Sequence, residues 1–168
     1  YWPDGRGTSR KVPQNSYEGF NVNGKRVPQK GYITDDLTDY ALNWLRSRNL
    51  DSPFFLTVSH KAVHADFVPA DRHKGRYKDK KLTLPKTFAK SGKSFRNKPR
   101  WLRDQRNSRH GVVFDNNLEG FDLNAYYIRY CETLLAVDEN LGRIFDFLVE
   151  RDLLDSTLVV YMLSLIHI

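Results

Sequence analysis

Phe54-Phe55-Leu56-Thr57-Val58, entered from Pro53 and left through Ser59-His60-Lys61, decides the fold. A short, nearly continuous apolar run between turn residues reads as a strand buried on both faces, the pattern of a parallel sheet. Thr157-Leu158-Val159-Val160-Tyr161-Met162 reads the same way, after a turn at Asp155-Ser156. Between the two lies a long helix. Asp122 can cap it, and Tyr127, Tyr130, Leu134, Val137, Leu141, Ile144, Phe145 and Leu148 recur at three- and four-residue spacing down to about Arg151. Strand, long crossover with helix, strand is a βαβ unit, which requires a parallel sheet and a right-handed crossover. The fold class predicted is therefore α/β with a mainly parallel sheet.

Upstream, Thr34 is placed as an N-cap, with Asp35 and Asp36 in the first turn, where the helix dipole favours acids. Leu37, Tyr40, Ala41, Trp44 and Leu45 then share one face, and Arg46 and Arg48 close the helix, so the pattern predicts a helix over 35–48. Residues 1–31 have no periodic apolar pattern and read as loop, with a short hairpin around Asn23-Gly24. The stretch of about 60 residues after Lys61 also lacks periodicity; a connection of that length is usually functional or disordered.

The chain has 168 residues, 40% hydrophobic and 28% charged, a soluble globular composition long enough to bury a core. No apolar run approaches the roughly 20 residues of a membrane helix. The single cysteine, Cys131, excludes an internal disulfide and a Cys-based zinc cluster. The chain opens on Tyr1 and shows no signal peptide, so both ends are expected to be artificial. The net charge of +7 is unevenly spread: Arg72 to Arg109 holds 15 Lys and Arg against two acids, Asp79 and Asp104. Such a stretch is either a binding surface for an anionic polymer, nucleic acid or sulfated glycan, or a solvated loop. Aromatic interleaving there is thin: Tyr77, Phe88, Phe95 and Trp101.

Ligands of open parallel α/β sheets bind beyond the carboxyl ends of strands. The first strand delivers Ser59-His60-Lys61-Ala62-Val63-His64 to that position. Two imidazoles and an ammonium in six residues can bind a divalent anion or supply a general acid. The bland alternatives are a buried, hydrogen-bonded His60 at the strand end and a solvated Lys61. His73 and His110 receive no role. Cys131 sits mid-helix at core spacing and reads as a structural thiol.

Three stretches resemble the middle of the type I sulfatases. One runs from Pro53 through His64 and on over Pro69-Ala70-Asp71-Arg72-His73-Lys74-Gly75; another is Gly31 to Leu45; the last is Tyr126 to Met162, centred on Ala136-Val137-Asp138-Glu139-Asn140-Leu141-Gly142. The resemblance covers most of the chain and implies the alkaline-phosphatase-like α/β/α sandwich, with residues 1–162 as part of the N-terminal catalytic domain. It implies a periplasmic or secreted enzyme acting on a sulfated carbohydrate or aryl sulfate, with neither nucleic acid nor membrane as partner.

The family uses a Cys or Ser, oxidised to formylglycine, within Cys/Ser-x-Pro-Ser-Arg, and no such motif occurs here. Its Ca²⁺ ligands are likewise expected outside the chain. Asp35-Asp36 opens a helix and is not the family's metal-binding pair. The residues after Met162 read Leu163-Ser164-Leu165-Ile166-His167-Ile168 in place of an Asp-Asn or Asp-His pair. CTG TCT CTT ATA CAC ATC, a transposon mosaic-end sequencing adapter, translates to those six residues, so 163–168 are expected to be a non-native tail and the chain an inactive fragment.

The catalytic residue that carries over is His64. In the family, the His of a His-x-Pro-Phe motif after this strand contacts sulfate and protonates the leaving oxygen. The sequence here is His64-Ala65-Asp66-Phe67, with Asp66 where Pro is expected. Lys61 is the expected sulfate-binding residue. Two alternatives stand beside the sulfatase reading: a phosphatase or phosphonate hydrolase of the same superfamily, and a basic polyanion-binding module.

Overall fold

Asn23 and Gly24 both take positive φ, 52° and 85°, as a two-residue type I′ turn demands. They join strand β1 (Phe20–Val22) to strand β2 (Lys25–Val27), paired antiparallel with Phe20 opposite Val27. The computed structural model describes residues 19–49, 51–64, 67–84, 96–104 and 122–162. The expectations for residues 1–18, Asp66, Phe88, Phe95, His110 and 163–168 lie outside the described residues.

Helix α1 spans Ile33–Ser47. It starts two residues before the predicted position, and Thr34 is not its cap. Tyr32 is the N-cap and its side chain makes no capping bond; Thr34 is fully buried inside the helix, its Oγ1 without a hydrogen-bond partner among the described residues. Asp36 instead ties down the chain ahead of the helix: Oδ2 accepts the N–H groups of Lys30 and Gly31, at 3.0 Å each. One carboxylate thereby satisfies two backbone donors at the positive end of the helix dipole, which a hydroxyl at position 34 cannot do.

A single 3₁₀ turn follows at Asp71–His73, then the short helix α2 (Arg100–Asp104) and the 28-residue helix α3 (Leu123–Glu150). Asp122 caps α3 as expected: Oδ1 accepts the N–H of Ala125 at 2.9 Å. A second 3₁₀ turn, Leu154–Ser156, occupies the predicted turn.

Helices α1 and α3 pack against each other. Asp35 meets Asn140, Asp39 meets Arg143, and Leu42 and Leu45 form a buried cluster with Phe147 and Leu148. Partners advance together along both helices, so the two lie parallel. Both also bury small residues, Thr34, Thr38 and Ala41 on one and Thr133 and Ala136 on the other.

The apolar stripe read from the sequence is only partly the buried face of α3. Val137 and Leu148 are buried, but Tyr127, Leu134 and Phe145 are exposed. The stripe selects large apolar residues, whereas the buried face of α3 also carries hydrogen-bonded polar ones: Glu132 accepts from Tyr77 N–H, Thr133 donates to the Arg129 carbonyl, and Asn140 meets Asp35 of α1.

The two predicted strands also differ from expectation. Residues 54–58 are extended and alternate half-buried with exposed; Phe54 and Leu56 pack on the helix cluster, while Phe55 is 90% exposed. In 157–162, Leu158 is 89% exposed and Val160, Tyr161 and Met162 are also open. Among the described residues the only sheet is the β1–β2 pair. A strand is defined by hydrogen-bonded neighbours, and no described segment pairs with either run. The helices cover one face of 54–58 and leave the other bare.

Candidate active-site loop

His60 ends the extended run and is tied to α1. Thr38 Oγ1 donates to the C=O of Thr34 at 3.0 Å and lies 2.9 Å from His60 Nε2. The hydroxyl and His60 Nε2 share this hydrogen bond, with the ring tautomer setting which of them donates. Burial holds the imidazole below its ordinary range, against the charge of Asp35. The packed, hydrogen-bonded reading of His60 stands.

The sign of the pH effect follows. A buried histidine with a lowered pKa is protonated more readily in the unfolded chain. Its stabilisation is complete above about pH 6.5 and is lost as pH falls from there through the folded value. We expect His60→Gln, which keeps a side-chain donor for Thr38, to abolish the first limb of acid destabilisation in urea titrations between pH 7 and 5. A limb unchanged in the variant would assign it to another group.

Lys61 and His64 share one turn beyond His60. The His64 N–H donates to the Lys61 carbonyl at 3.0 Å; Lys61 is half-buried and His64 is exposed. The turn is pinned on its far side as well. Phe67 packs against Tyr126 and Tyr130, centroids 4.8 and 5.1 Å away, and the Tyr32 hydroxyl donates to the Val68 carbonyl at 3.0 Å. Pro69 and Ala70 are buried.

Directly after this comes a polar clamp that the sequence did not reveal. Arg72 forks onto Asp35 with two bonds of 2.8 Å and donates from Nε to Glu139 at 2.7 Å. His73, given no role from the sequence, lies with Nε2 2.9 Å from the same Glu139 oxygen. Buried Asn140 donates to Asp35 at 2.6 Å and accepts from Arg143 at 2.8 Å. Burial pushes the Asp35 carboxyl up, but the bonds from Arg72 and Asn140 and the charges of Arg72 and Arg143 outweigh it and leave the pKa below the usual value. Glu139 is lowered through Arg72 and His73 after the same opposition from burial. The partners stand 37, 67 and 105 residues apart, so no local signal announces them.

Calcium takes six to eight oxygen ligands, and the carboxylates here do not fit it. Asp35 is held by Arg72 and Asn140, Asp36 by two backbone amides, and Asp39 by Arg143. Among the described residues no three His, Cys, Asp or Glu side chains gather as a metal site. Cys131 is half-buried on α3.

The family model described as Sulfatase matches residues 1–163. The chain belongs to the sulfatase family. It is 27% identical to the N-acetylglucosamine-6-O-sulfatase of Bacteroides thetaiotaomicron over 84% of this chain and 34% of that protein. It is 23% identical to the multifunctional alkaline phosphatase superfamily protein PehA of Trinickia caryophylli, over 88% of the chain and 30% of the relative. A 43-residue stretch is 49% identical to the uncharacterized sulfatase YdeN of Escherichia coli. A solved structure of a protein in complex with its substrate, D-glucosamine-2-N,6-O-disulfate, superposes with a TM-score of 0.56 at 26% identity, covering 80% of this chain and 37% of that one. The chain thus spans about a third of the length of these full relatives. Among the described residues no helix is long and apolar enough to cross a membrane.

Proposed function

We propose that the enzyme containing this chain hydrolyses sulfate esters on a sulfated amino sugar, with His64 as the proton donor to the leaving oxygen and Lys61 as a sulfate-binding cation. The likeness to an N-acetylglucosamine-6-O-sulfatase over 84% of the chain carries the substrate class. In support of the roles, His64 is exposed on a turn held at both ends, by His60 on Thr38 and by Phe67 on two tyrosines. A turn fixed in this way limits the motion of the imidazole that protonates the departing alcohol oxygen, and proximity is worth most when the group is already placed. The Lys61 ammonium offsets the charge of the sulfate oxygens. The resemblance assigns the formylglycine nucleophile and Ca²⁺ to other parts of a periplasmic or secreted enzyme.

The parallel helices support a mainly parallel sheet. Repeated right-handed crossovers from one sheet lay their helices parallel on a face, as α1 and α3 lie here. In that reading residues 54–58 and 157–162 are strands of the whole enzyme. Amide hydrogen exchange should find both segments strongly protected in the enzyme and exchanging quickly in the 168-residue chain. Fast exchange in both would remove the parallel sheet.

PehA favours a second reading, a phosphatase or phosphonate hydrolase of the same superfamily. Matched nitrophenyl sulfate, phosphate and phosphonate esters separate the two. We expect the sulfate ester to be preferred by the enzyme, and the 168-residue chain to turn over none of them, with or without calcium, since covalent catalysis needs an activated nucleophile. Preference for phosphate or phosphonate selects the second reading. Turnover by the chain, lost in Cys131→Ala, would place the nucleophile here and overturn the assignment.

A further inference from the structure

The loop that carries His64 runs on into a basic strap, residues 71–82, laid along α3. The first residues of the strap are consumed as anchors. Arg72 and His73 engage Asp35 and Glu139, and Lys74 pairs with Asp71 at 2.6 Å. The backbone is anchored too. Tyr77 N–H donates to Glu132 at 3.1 Å, Leu82 N–H to Asn124 Oδ1 at 2.6 Å, and Asn124 returns a bond to the Lys80 carbonyl at 3.3 Å. Between these points the chain turns through three successive bonds, Arg76 to His73, Lys78 to Gly75 and Lys80 to Tyr77. Gly75 sits at φ 76°, where a side chain would strain the backbone.

What the strap displays is different from what holds it. Arg76, Lys78, Lys80 and Lys81 are all exposed, and none pairs with an acid among the described residues. Asp79 is the one acid within the row; Asp138 of α3 faces the groove that Lys80 and Lys81 border. Four displayed cations in six residues exceed what a single sulfate ester can engage. They suit a ligand carrying anions in series, and because the backbone beneath them is already fixed, binding orders little besides the side chains. Tyr77, the aromatic ring of the row, is half-buried. The row therefore offers charge without the exposed stacking platform that single-stranded nucleic acid uses.

We propose that this strap binds the sulfated chain beyond the ester being cleaved, so that the substrate is a multiply sulfated oligosaccharide or polysaccharide rather than a lone sugar. The proposal rests on the sulfated-carbohydrate reading above and names the form of that substrate.

The test uses the enzyme that contains this chain and its Lys78→Ala/Lys80→Ala/Lys81→Ala variant, with folding checked by circular dichroism. Two substrates are compared, a 6-O-sulfated glucosamine monosaccharide and a heparin-derived oligosaccharide. We expect KM for the oligosaccharide to rise about tenfold or more at moderate salt, with kcat and the monosaccharide constants unchanged. Each lysine neutralising a sulfate releases counterions, so the dependence of log KM on log salt should flatten by roughly one per lysine removed. An unchanged oligosaccharide KM, or equal changes for both substrates, overturns the proposal. If the unmutated enzyme hydrolyses neither, the functional reading fails, and direct titration with the heparin oligosaccharide decides the strap on its own. Tight, salt-sensitive binding that the triple variant loses supports it; no binding overturns it. Duplex DNA bound as tightly as heparin at equal salt would make the strap a general polyanion surface and overturn the choice of glycan.

Discussion

In the proposed enzyme, His64→Ala is expected to lower kcat by about 10²- to 10⁴-fold, the scale of a lost general acid. The loss falls on kcat rather than on ground-state binding, because charge on the leaving oxygen develops mainly in the transition state. It depends on the leaving group: a sugar hydroxyl needs the proton, whereas a nitrophenolate departs without one. Parallel assays of the variant on a sugar sulfate and on nitrophenyl sulfate read this directly. Equal losses on the two would make His64 a sulfate-positioning residue, and no loss would return it to the surface. His60→Ala is the internal comparison, expected to lower stability instead, since it deprives Thr38 of its partner within a half-buried contact. A leaving-group dependence found at His60 would shift the motif alignment, with Asp66 as the point of slippage.

Leu45→Ala should destabilise the same enzyme by about 3–5 kcal/mol, seen as a lower urea midpoint with an unchanged m value. Leu45 is fully buried and belongs to the cluster with Leu42, Phe147 and Leu148, which Phe54, Leu56, Ile144, Leu153 and Leu154 extend. The cavity would open where both helices and the extended run converge, so no single neighbour can collapse into it. Leu45→Met, close to volume-conserving, should cost below about 1.5 kcal/mol. Equal costs for the two substitutions would show that packing at this point is not what holds the helices together. The position also matters for the loop, since the run that ends at His60 is seated on this cluster through Phe54 and Leu56.

Local chemistry was legible. The N-cap at Asp122, the Asn23-Gly24 turn and the extents of α1 and α3 to within about two residues follow from neighbours in the chain, because caps, turns and helical periodicity are short-range effects. The family followed from strings such as Pro53 to His64 and Ala136 to Gly142, and the match over residues 1–163 agrees with it. The helix starts at Ile33 rather than after Thr34 because Thr34, a capping residue by type, is buried inside the first turn, while Asp36 binds the backbone ahead of the helix at Lys30 and Gly31.

The tertiary structure alone decided which side of α3 meets α1, which face of residues 54–58 is covered, and what His60 and His73 touch. Counting large apolar side chains pointed to Tyr127 and Leu134, yet the helices meet through Asn140, Arg143, Phe147 and Leu148. Hydrogen-bonded residues such as Asn140 carry little hydrophobic signal, yet they join the two helices. Arg72 likewise looked like one more charge in a basic stretch. Its fork onto Asp35 and its bond to Glu139 exist because folding brings the first turn of α1 and the middle of α3 to it from 37 and 67 residues away. Charge in a sequence says how many ions there are; only the fold separates those that hold the strap down from those it displays.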